Sequence, residues 1–519
     1  MTKPNKPLAA NDMQQNLQCA EKRPFSRYLR VLSAVLLMTA VSGCVVGPDY
    51  QKPIVNMPFS WGNKATAKQE KPAQLAEWWK RFNDPLLNAL VDESVEGSLT
   101  VATAKAKVRE ARASYRQSVS GLFPSADGTA TATRSRTAGG DSGASSTSSL
   151  FKSGLDASWE ADLFGANKRS VEAEKYGMDS AEEELRNTLL TLIGDVTTNY
   201  VEARGYQARI ALAKRTAASQ RKTAQLTRDK FEAGASSAVD LSNASGQAAS
   251  TEAAIPDLES SYTQSVHRLS VLTGRAPSAL ADRMKPVKAI PKPKLPMPTG
   301  IPADILLTRP DVRLAERQYA QYTAKVGQAE AARYPSVSLT GSIATSGSQL
   351  GDLGKSSSIS WSFGPSLSVP IFNAGKLKAA VEVAQAQRDQ YFIAYRSSIL
   401  TALEDVENAM VSLAQERIKS SKLSVSARHY REAASLARSL YQSGTTSFLD
   451  LLEADRSLYS AEDSLLSSQV AISTDYIALN KALGGGWSGA VEVAKPEIAD
   501  VNTGPHLQQH GAVIKASTK

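Results

Sequence analysis

The sequence predicts a mixed α/β membrane protein: a homotrimeric 12-stranded transmembrane β-barrel, four strands per chain, continuous with a long periplasmic α-helical coiled-coil barrel. Three observations lead there: an internal duplication, two unbroken helical stretches of roughly 65 to 70 residues each, and short alternating segments set between helices. In the duplication, Phe123-Pro124-Ser125 recurs as Tyr334-Pro335-Ser336, and Leu163-Phe164-Gly165 is echoed by Ile371-Phe372-Asn373. Phe231-Glu232-Ala233-Gly234 with Val239-Asp240-Leu241 recurs as Tyr441-Gln442-Ser443-Gly444 with Leu449-Asp450-Leu451. Leu272-Thr273-Gly274 recurs as Leu483-Gly484-Gly485. The offsets of 211, 208, 210 and 211 residues are too long for a stacked solenoid and describe a duplicated half.

Residues 1–43 read as a lipoprotein signal peptide. Lys22, Arg23, Arg27 and Arg30 precede an apolar run from Val31 to Ala40, which is too short to span a bilayer as a helix. Val41-Ser42-Gly43-Cys44 resembles a bacterial lipobox. That resemblance implies that Cys44 becomes the first mature residue, carrying an N-acyl group and an S-diacylglycerol, and that Val45, not being Asp, directs the chain to the outer membrane. Cys19 falls within the signal, so the mature chain keeps only the lipidated Cys44 and has no disulfide framework. The signal also carries +4 of the formal net charge of +9. The remaining basic residues are interspersed with acidic ones and form no stripe, so nucleic-acid binding finds no support.

After the signal, the pattern divides into a lipidated N-terminus with an equatorial helix beginning at Trp78, Trp79 and Phe82 (44–97), a first repeat (98–274), a Pro/Lys-rich linker (275–300), a second repeat (301–486) and a tail (487–519). Each repeat reads as a short helix, two strands and a long helical hairpin. From Gly165 to Phe231, Leu185, Leu189, Leu192, Val196, Tyr200 and Ala203 step by three and four, a narrow helical seam. Ile399, Leu403, Val406, Met410 and Leu413 do the same between Ala374 and Ser443. Each run amounts to roughly 100 Å of helix, more than a single globular domain needs. Gly234 and Gly444 end these helices, and second helices are expected at 238–273 and 447–483. Shorter helices are expected at 98–121 and 311–333.

Between short and long helices the period changes to two. Leu155, Ala157, Trp159 and Ala161 alternate with Asp156, Ser158, Glu160 and Asp162; Val337, Leu339 and Ile343 alternate with Ser and Thr; Ile359, Trp361, Phe363, Leu367 and Val369 alternate largely with Ser. Segments of about 10 residues with one apolar side are what a transmembrane barrel strand requires. Four strands cannot close a barrel, and open edges in hydrocarbon leave unpaired N–H and C=O groups at several kcal/mol each. Three chains close the ring with a lumen wide enough for water, whereas two give an eight-stranded barrel filled by side chains.

The lipobox, the duplicated halves, Tyr334-Pro335-Ser336, Pro370-Ile371-Phe372-Asn373-Ala374-Gly375 and Tyr441-Gln442-Ser443-Gly444 with Leu449-Asp450-Leu451-Leu452-Glu453-Ala454 resemble the outer membrane efflux protein family, over about residues 44 to 488. The resemblance is to TolC and OprM, and most of all to the NodT-type lipoproteins. It implies a homotrimeric exit channel that docks a periplasmic adaptor protein and an inner-membrane RND-type pump, and conducts passively with no cofactor beyond the lipid on Cys44. It also implies that Asp240, Tyr441, Leu449, Asp450, Glu453 and Arg456 form the closed periplasmic aperture. Asp450 and Glu453 share a helix face, and threefold symmetry would repeat them as acidic rings that favour cations and raise carboxylate pKa values. Contacts among Asp240, Tyr441 and Arg456 would close adjacent hairpins. Thr446 stands where TolC has a basic latch residue. Neither a catalytic signature nor a metal set emerges: His267 and His429 sit alone, and His506 and His510 lack a third ligand. A lipid-anchored coiled-coil scaffold and a protein-secretion channel are the alternative readings.

Overall fold

The computed structural model describes residues 2, 45–54, 75–139, 143, 145–293, 303–501 and 504–507, so Cys44 and all of the signal peptide but Thr2 lie outside the described residues. The chain forms two compact units, and each draws on both halves. One comprises the N-terminus through Pro48, Gly121–Arg169 and Gly327–Ala380; the other comprises Asp49–Ser120, Ser170–Val326 and Val381–Lys519.

The first unit is built on an antiparallel sheet in the order β1 (Ser125–Thr137), β2 (Ser146–Ala161), β3 (Ser336–Gly347), β4 (Ile359–Ser368). Each half supplies one hairpin, and β2–β3 is the seam between halves. Register fixes the faces, because successive side chains alternate across a sheet. Leu155 lies opposite Gly128 on one side and Ile343 on the other, and Ile343 lies opposite Trp361. Trp159 lies opposite Leu339, and Val337 opposite Leu367. One face is therefore apolar from β2 to β4, and on β1 it continues through Ala126, Ala130 and Ala132. The other face is polar, with Asp127, Lys152, Asp156 and Glu160 among hydroxyls; Ser342 Oγ lies 2.8 Å from Ser362 Oγ and Ser135 Oγ 3.0 Å from Ser148 Oγ. The large apolar side chains are exposed, Trp361 at 76% and Phe363 at 70%. β1 and β4 are open edges within the chain.

The strand-to-helix turns correct one landmark of the repeat. Gly165 and Gly375 both adopt φ of +85°, a conformation that glycine reaches without a Cβ clash, and so they are the equivalent positions, 210 residues apart. The echo of Phe164 in Phe372, two residues out of step, is not structural. Phe164 stacks on Tyr334 with centroids 4.7 Å apart, whereas Phe372 is exposed. The position of the left-handed glycine sets the turn; the aromatic beside it does not.

The helices are α1 (Pro85–Gly97), α2 (Leu99–Ser120), α3 (Ala166–Glu232), α4 (Ala238–Ala253), α5 (Ile255–Leu272), α6 (Ala281–Met284), α7 (Pro310–Ala331), α8 (Lys376–Ser443) and α9 (Phe448–Ala482). α3 and α8 run unbroken for 67 and 68 residues. Among the described residues no helix is long and apolar enough to cross a membrane. Every member of the first expected seam, Leu185 through Ala203, is buried in the second unit, and Ile399, Val406 and Leu413 of the second seam join the same core.

Three expectations need revision. The helix expected at 238–273 is split into α4 and α5 at Ala254, because Pro256 lacks the N–H that would continue the ladder. Trp78, Trp79 and Phe82 do not begin a helix. They lie buried on a 3-10 turn bounded by Glu77 and Asn83 at positive φ, and α1 starts later, with Asp84 accepting from the Leu86 N–H at 2.9 Å and Pro85 at N1. The linker between halves is not simply a loop: it contains α6 and buries Leu280, Met284 and Ile290. The buried Arg204 guanidinium donates to the carbonyls of Met284 and Pro286 at 3.2 and 2.8 Å and fastens this stretch to α3. In the tail, Trp487 stacks on Trp79, and a short hairpin pairs Ile498–Val501 with Gly504–Leu507.

Candidate gate at the helix tips

Both long hairpins turn by the same local chemistry. α3 ends where Gly234 takes φ of +74°, with Gly234 N donating to Phe231 O at 2.9 Å and Ala235 N to Lys230 O at 2.7 Å. α8 ends at Gly444, φ +80°, with Gly444 N donating to Tyr441 O at 3.2 Å and Thr445 N to Leu440 O at 2.9 Å. These paired bonds satisfy the last helical carbonyls around a left-handed residue. The next helices open with reciprocal caps, Ser237 with Asp240 on α4 and Ser447 with Asp450 on α9.

Of the residues expected at the aperture, Tyr441 is the most firmly placed. It is buried with Phe448, Leu451, Leu452 and Ala244 in a small core that joins the two hairpins. Its ring meets Phe448 edge-on at 5.8 Å, and its hydroxyl lies 2.9 Å from Thr227 Oγ1 on α3. Lys230 donates to the Tyr441 carbonyl and sits 4.1 Å from the ring centroid, a cation–π contact. Arg456 Nε donates to Gln247 Oε1 on α4 at 2.6 Å. Leu449 is exposed, and Glu453 accepts a long 3.4 Å bond from Ser457.

Within the chain, Asp240, Tyr441 and Arg456 are not gathered into one contact. Asp240 binds the Ser237 N–H at 3.1 Å and Ser236 Oγ at 3.2 Å, Tyr441 goes to Thr227 and Lys230, and Arg456 goes to Gln247. Asp450 accepts from Ser447 Oγ and Thr446 Oγ1, each at 2.7 Å, so Thr446 serves the cap rather than a latch. Within one chain, hydrogen bonds from these hydroxyls and N–H groups hold both carboxyls below the usual aspartate range. Burial acts the other way on Asp455, pushing its carboxyl up although Arg438 sits 2.8 Å away.

Lys230, Thr227, Gln247 and the Arg438–Asp455 pair were not singled out from the sequence. Lys230 had a signal: it precedes the repeated Phe231 landmark and so was bound to lie at the same tip level as Tyr441.

An apolar-faced sheet with two open edges, carried on the same chain as two long helical hairpins, is the protomer of an outer-membrane channel. The model of the family described as Outer membrane efflux protein matches residues 90–275 and 301–485, and the chain belongs to that family. It is 34% identical over 469 residues to nodulation protein T of Rhizobium leguminosarum bv. trifolii, covering 89% of this chain and 98% of the relative. It is 31% identical over 459 residues to the cation efflux system protein CusC of Escherichia coli O6:H1, covering 86% and 97%. Among solved structures, the outer-membrane channel OprN superposes with a TM-score of 0.79 at 33% identity, covering 86% of this chain and all of that one. The protein is therefore an efflux channel of the outer membrane that extends into the periplasm.

Proposed function

We propose that the protein is the exit duct of a tripartite efflux system: a homotrimer that closes a 12-stranded barrel, docks a periplasmic adaptor and an inner-membrane RND-type pump, and passes their cargo by diffusion. The open-edged sheet carries this reading. Its exposed apolar face fits hydrocarbon, its polar face fits a wet lumen, and its two free edges need partners there. The names of the two relatives, nodulation and cation efflux, point to different cargo, and cargo is selected by the pump.

Cys44 is proposed as the lipid attachment site, with no other cofactor. The residues next to it support this: Val46 N donates to Phe164 O at 3.1 Å, and Arg169 donates to the carbonyls of Val46 and Gly47, both at 3.2 Å. These contacts hold Val46 and Gly47, which follow Cys44 in the sequence, beside the β2–α3 turn. Asp240, Tyr441, Leu449, Asp450, Glu453 and Arg456 remain the proposed aperture. Lys230, Thr227 and Gln247 add contacts that hold the second tip against the first.

Planar-bilayer recording of the purified protein, together with its native mass, tests the reading. Discrete conductance steps from a three-copy particle are expected. A single-copy, non-conducting particle would instead match a lipid-anchored scaffold.

A further inference from the structure

The internal seam of the sheet is a template for the missing one. The hairpins superpose by register: Ser125 pairs with Ser158 in the first half, and Ser336 with Ser368 in the second. β1 is therefore equivalent to β3 at an offset of 211, and β2 to β4 at an offset of 210. Inside the chain, β2 pairs with β3 so that Ala157 faces Gly341, Ser153 faces Thr345 and Phe151 faces Gly347. Carrying those pairs through the duplication converts β2 into β4 and β3 into β1 of another copy.

We propose that β4 of one copy pairs with β1 of the next in the register Leu367 opposite Ala130, Phe363 opposite Arg134 and Trp361 opposite Arg136. This inference rests on the trimeric reading above and goes further, because it names which residues meet.

Two observations independent of the duplication agree. First, the apolar face uses odd positions on β4 and even positions on β1. The proposed register pairs odd with even throughout, so the apolar and polar faces each continue across the join. A slip of one residue would set Leu367 against Thr129 or Thr131 and interrupt both faces. Second, β1 carries Arg134 and Arg136 on its otherwise small-residue apolar face, near its outer end. Arg136 donates to Ser145 Oγ through Nε at 3.1 Å and Nη2 at 2.9 Å, which leaves its ring-facing plane free, and an arginine facing hydrocarbon is costly, least so near the interface. The register lays both guanidiniums beside exposed aromatic rings of the neighbouring copy, where directly opposite residues lie about 5 Å apart and cation–π contact becomes available. The internal seam, made of Ser153, Thr345, Phe151 and Gly347 at the equivalent positions, has no such arginines. Their presence at the external seam matches a partner face rich in Trp and Phe.

Disulfide mapping tests the register, because the mature sequence has no cysteine besides Cys44. Leu367→Cys combined in one chain with Ala130→Cys should yield, after mild oxidation in outer-membrane preparations, a covalently linked trimer on non-reducing denaturing gels that reduction abolishes. A bond within one chain is out of reach: the two edges are three strand spacings apart, about 14 Å, beyond the roughly 7 Å limit for a disulfide. Yield should be several-fold lower with Gly128→Cys or Ala132→Cys in place of Ala130→Cys, and lowest with Thr129→Cys or Thr131→Cys. Should the Leu367 and Ala130 variant fail to assemble, Phe363→Cys with Arg134→Cys reads the same register. A maximum at Gly128→Cys or Ala132→Cys within an intact trimer overturns the register and leaves the trimer standing. A native mass other than three copies overturns the trimeric reading and the register with it.

Discussion

α3 and α8 are two copies of one helix held in different company. α3 is braced by its own half, through Lys107–Glu184 and Lys214–Glu259, and also by the second half. Arg313 of α7 reaches Glu183 at 2.8 Å, Asp463 of α9 takes a two-pronged bond from Arg209 at 2.7 and 3.0 Å, and Val470 of α9 closes on Gly205. The bridges from α8 to α9, Arg431–Glu462 and Arg438–Asp455, stay within its own half. At positions 210 apart the consequence is direct: Ala173, Leu190 and Val201 are buried, whereas Val383, Leu400 and Val411 are exposed. Apolar residues recurring on one helix face call for a covering element. In the proposed trimer, the symmetry of the repeat makes that cover for α8 the α2 and α5 of the next copy, as α7 and α9 cover α3. On that proposal the single chain is a segment of a ring, and its uncovered second half is the cut surface.

The largest effect expected from this contrast is at Val201 and its counterpart Val411. Val201→Asp places an unpaired charge in a fully buried position and should cost more than about 4 kcal/mol; the chain should be absent from outer-membrane fractions on immunoblots. Val411→Asp should spare the folded chain, readable as protease resistance, while reducing the three-copy particle in native mass measurements. Equal loss of the folded chain in both would show that α8 needs no neighbour.

Next comes the tip. Tyr441 is buried between hairpins, whereas its counterpart Phe231 is 41% exposed within the chain. Tyr441→Ala should remove on the order of 3 kcal/mol of local packing and raise both tip proteolysis and single-channel conductance. The same two measurements should move less for Phe231→Ala. The polar contacts rank below packing, because exposed hydrogen-bonded and charged pairs contribute little each. Glu453→Ala with Arg456→Ala should raise conductance more than Asn243→Ala with Gly246→Ala at the first tip; equal effects would remove the asymmetry between tips.

The smallest effect is acid sensitivity. Folding lowers the Asp240 and Asp450 pKa values below the ordinary 3.8, so their capping stability is fully present above that value and is lost as pH falls through the lower folded one. Conductance should be constant from pH 7 to 5 and rise only below about pH 4, and Asp450→Asn should flatten that rise.

Much of this arrangement was legible because it repeats. Periodicity located the long seams, and Gly234 and Gly444 marked the turns, because each stands where the helical pattern stops and supplies a left-handed C-cap. The strands were legible from Leu155 to Leu367, where apolar residues are large. β1 was the weakest of the four, because the face that continues the apolar side carries only Gly, Ala and, near its end, Arg134 and Arg136. Contacts between elements distant in sequence were not legible: nothing local announces that Arg456 meets Gln247, or that Arg204 holds the linker. Trp78 and Trp79 read as an amphipathic start because burial on a 3-10 turn leaves no helical period to detect.

Thiol labelling at Leu190→Cys and Leu400→Cys tests the central claim most directly, with wild type as the background for Cys44. In the purified native particle both thiols should stay unreactive toward a bulky polar maleimide, and both should react after denaturation, because the second half is covered once the ring closes. Rapid labelling of Leu400→Cys in a particle that keeps its three-copy mass and its conductance, with Leu190→Cys silent, would contradict the claim that a neighbouring copy completes what the chain leaves open.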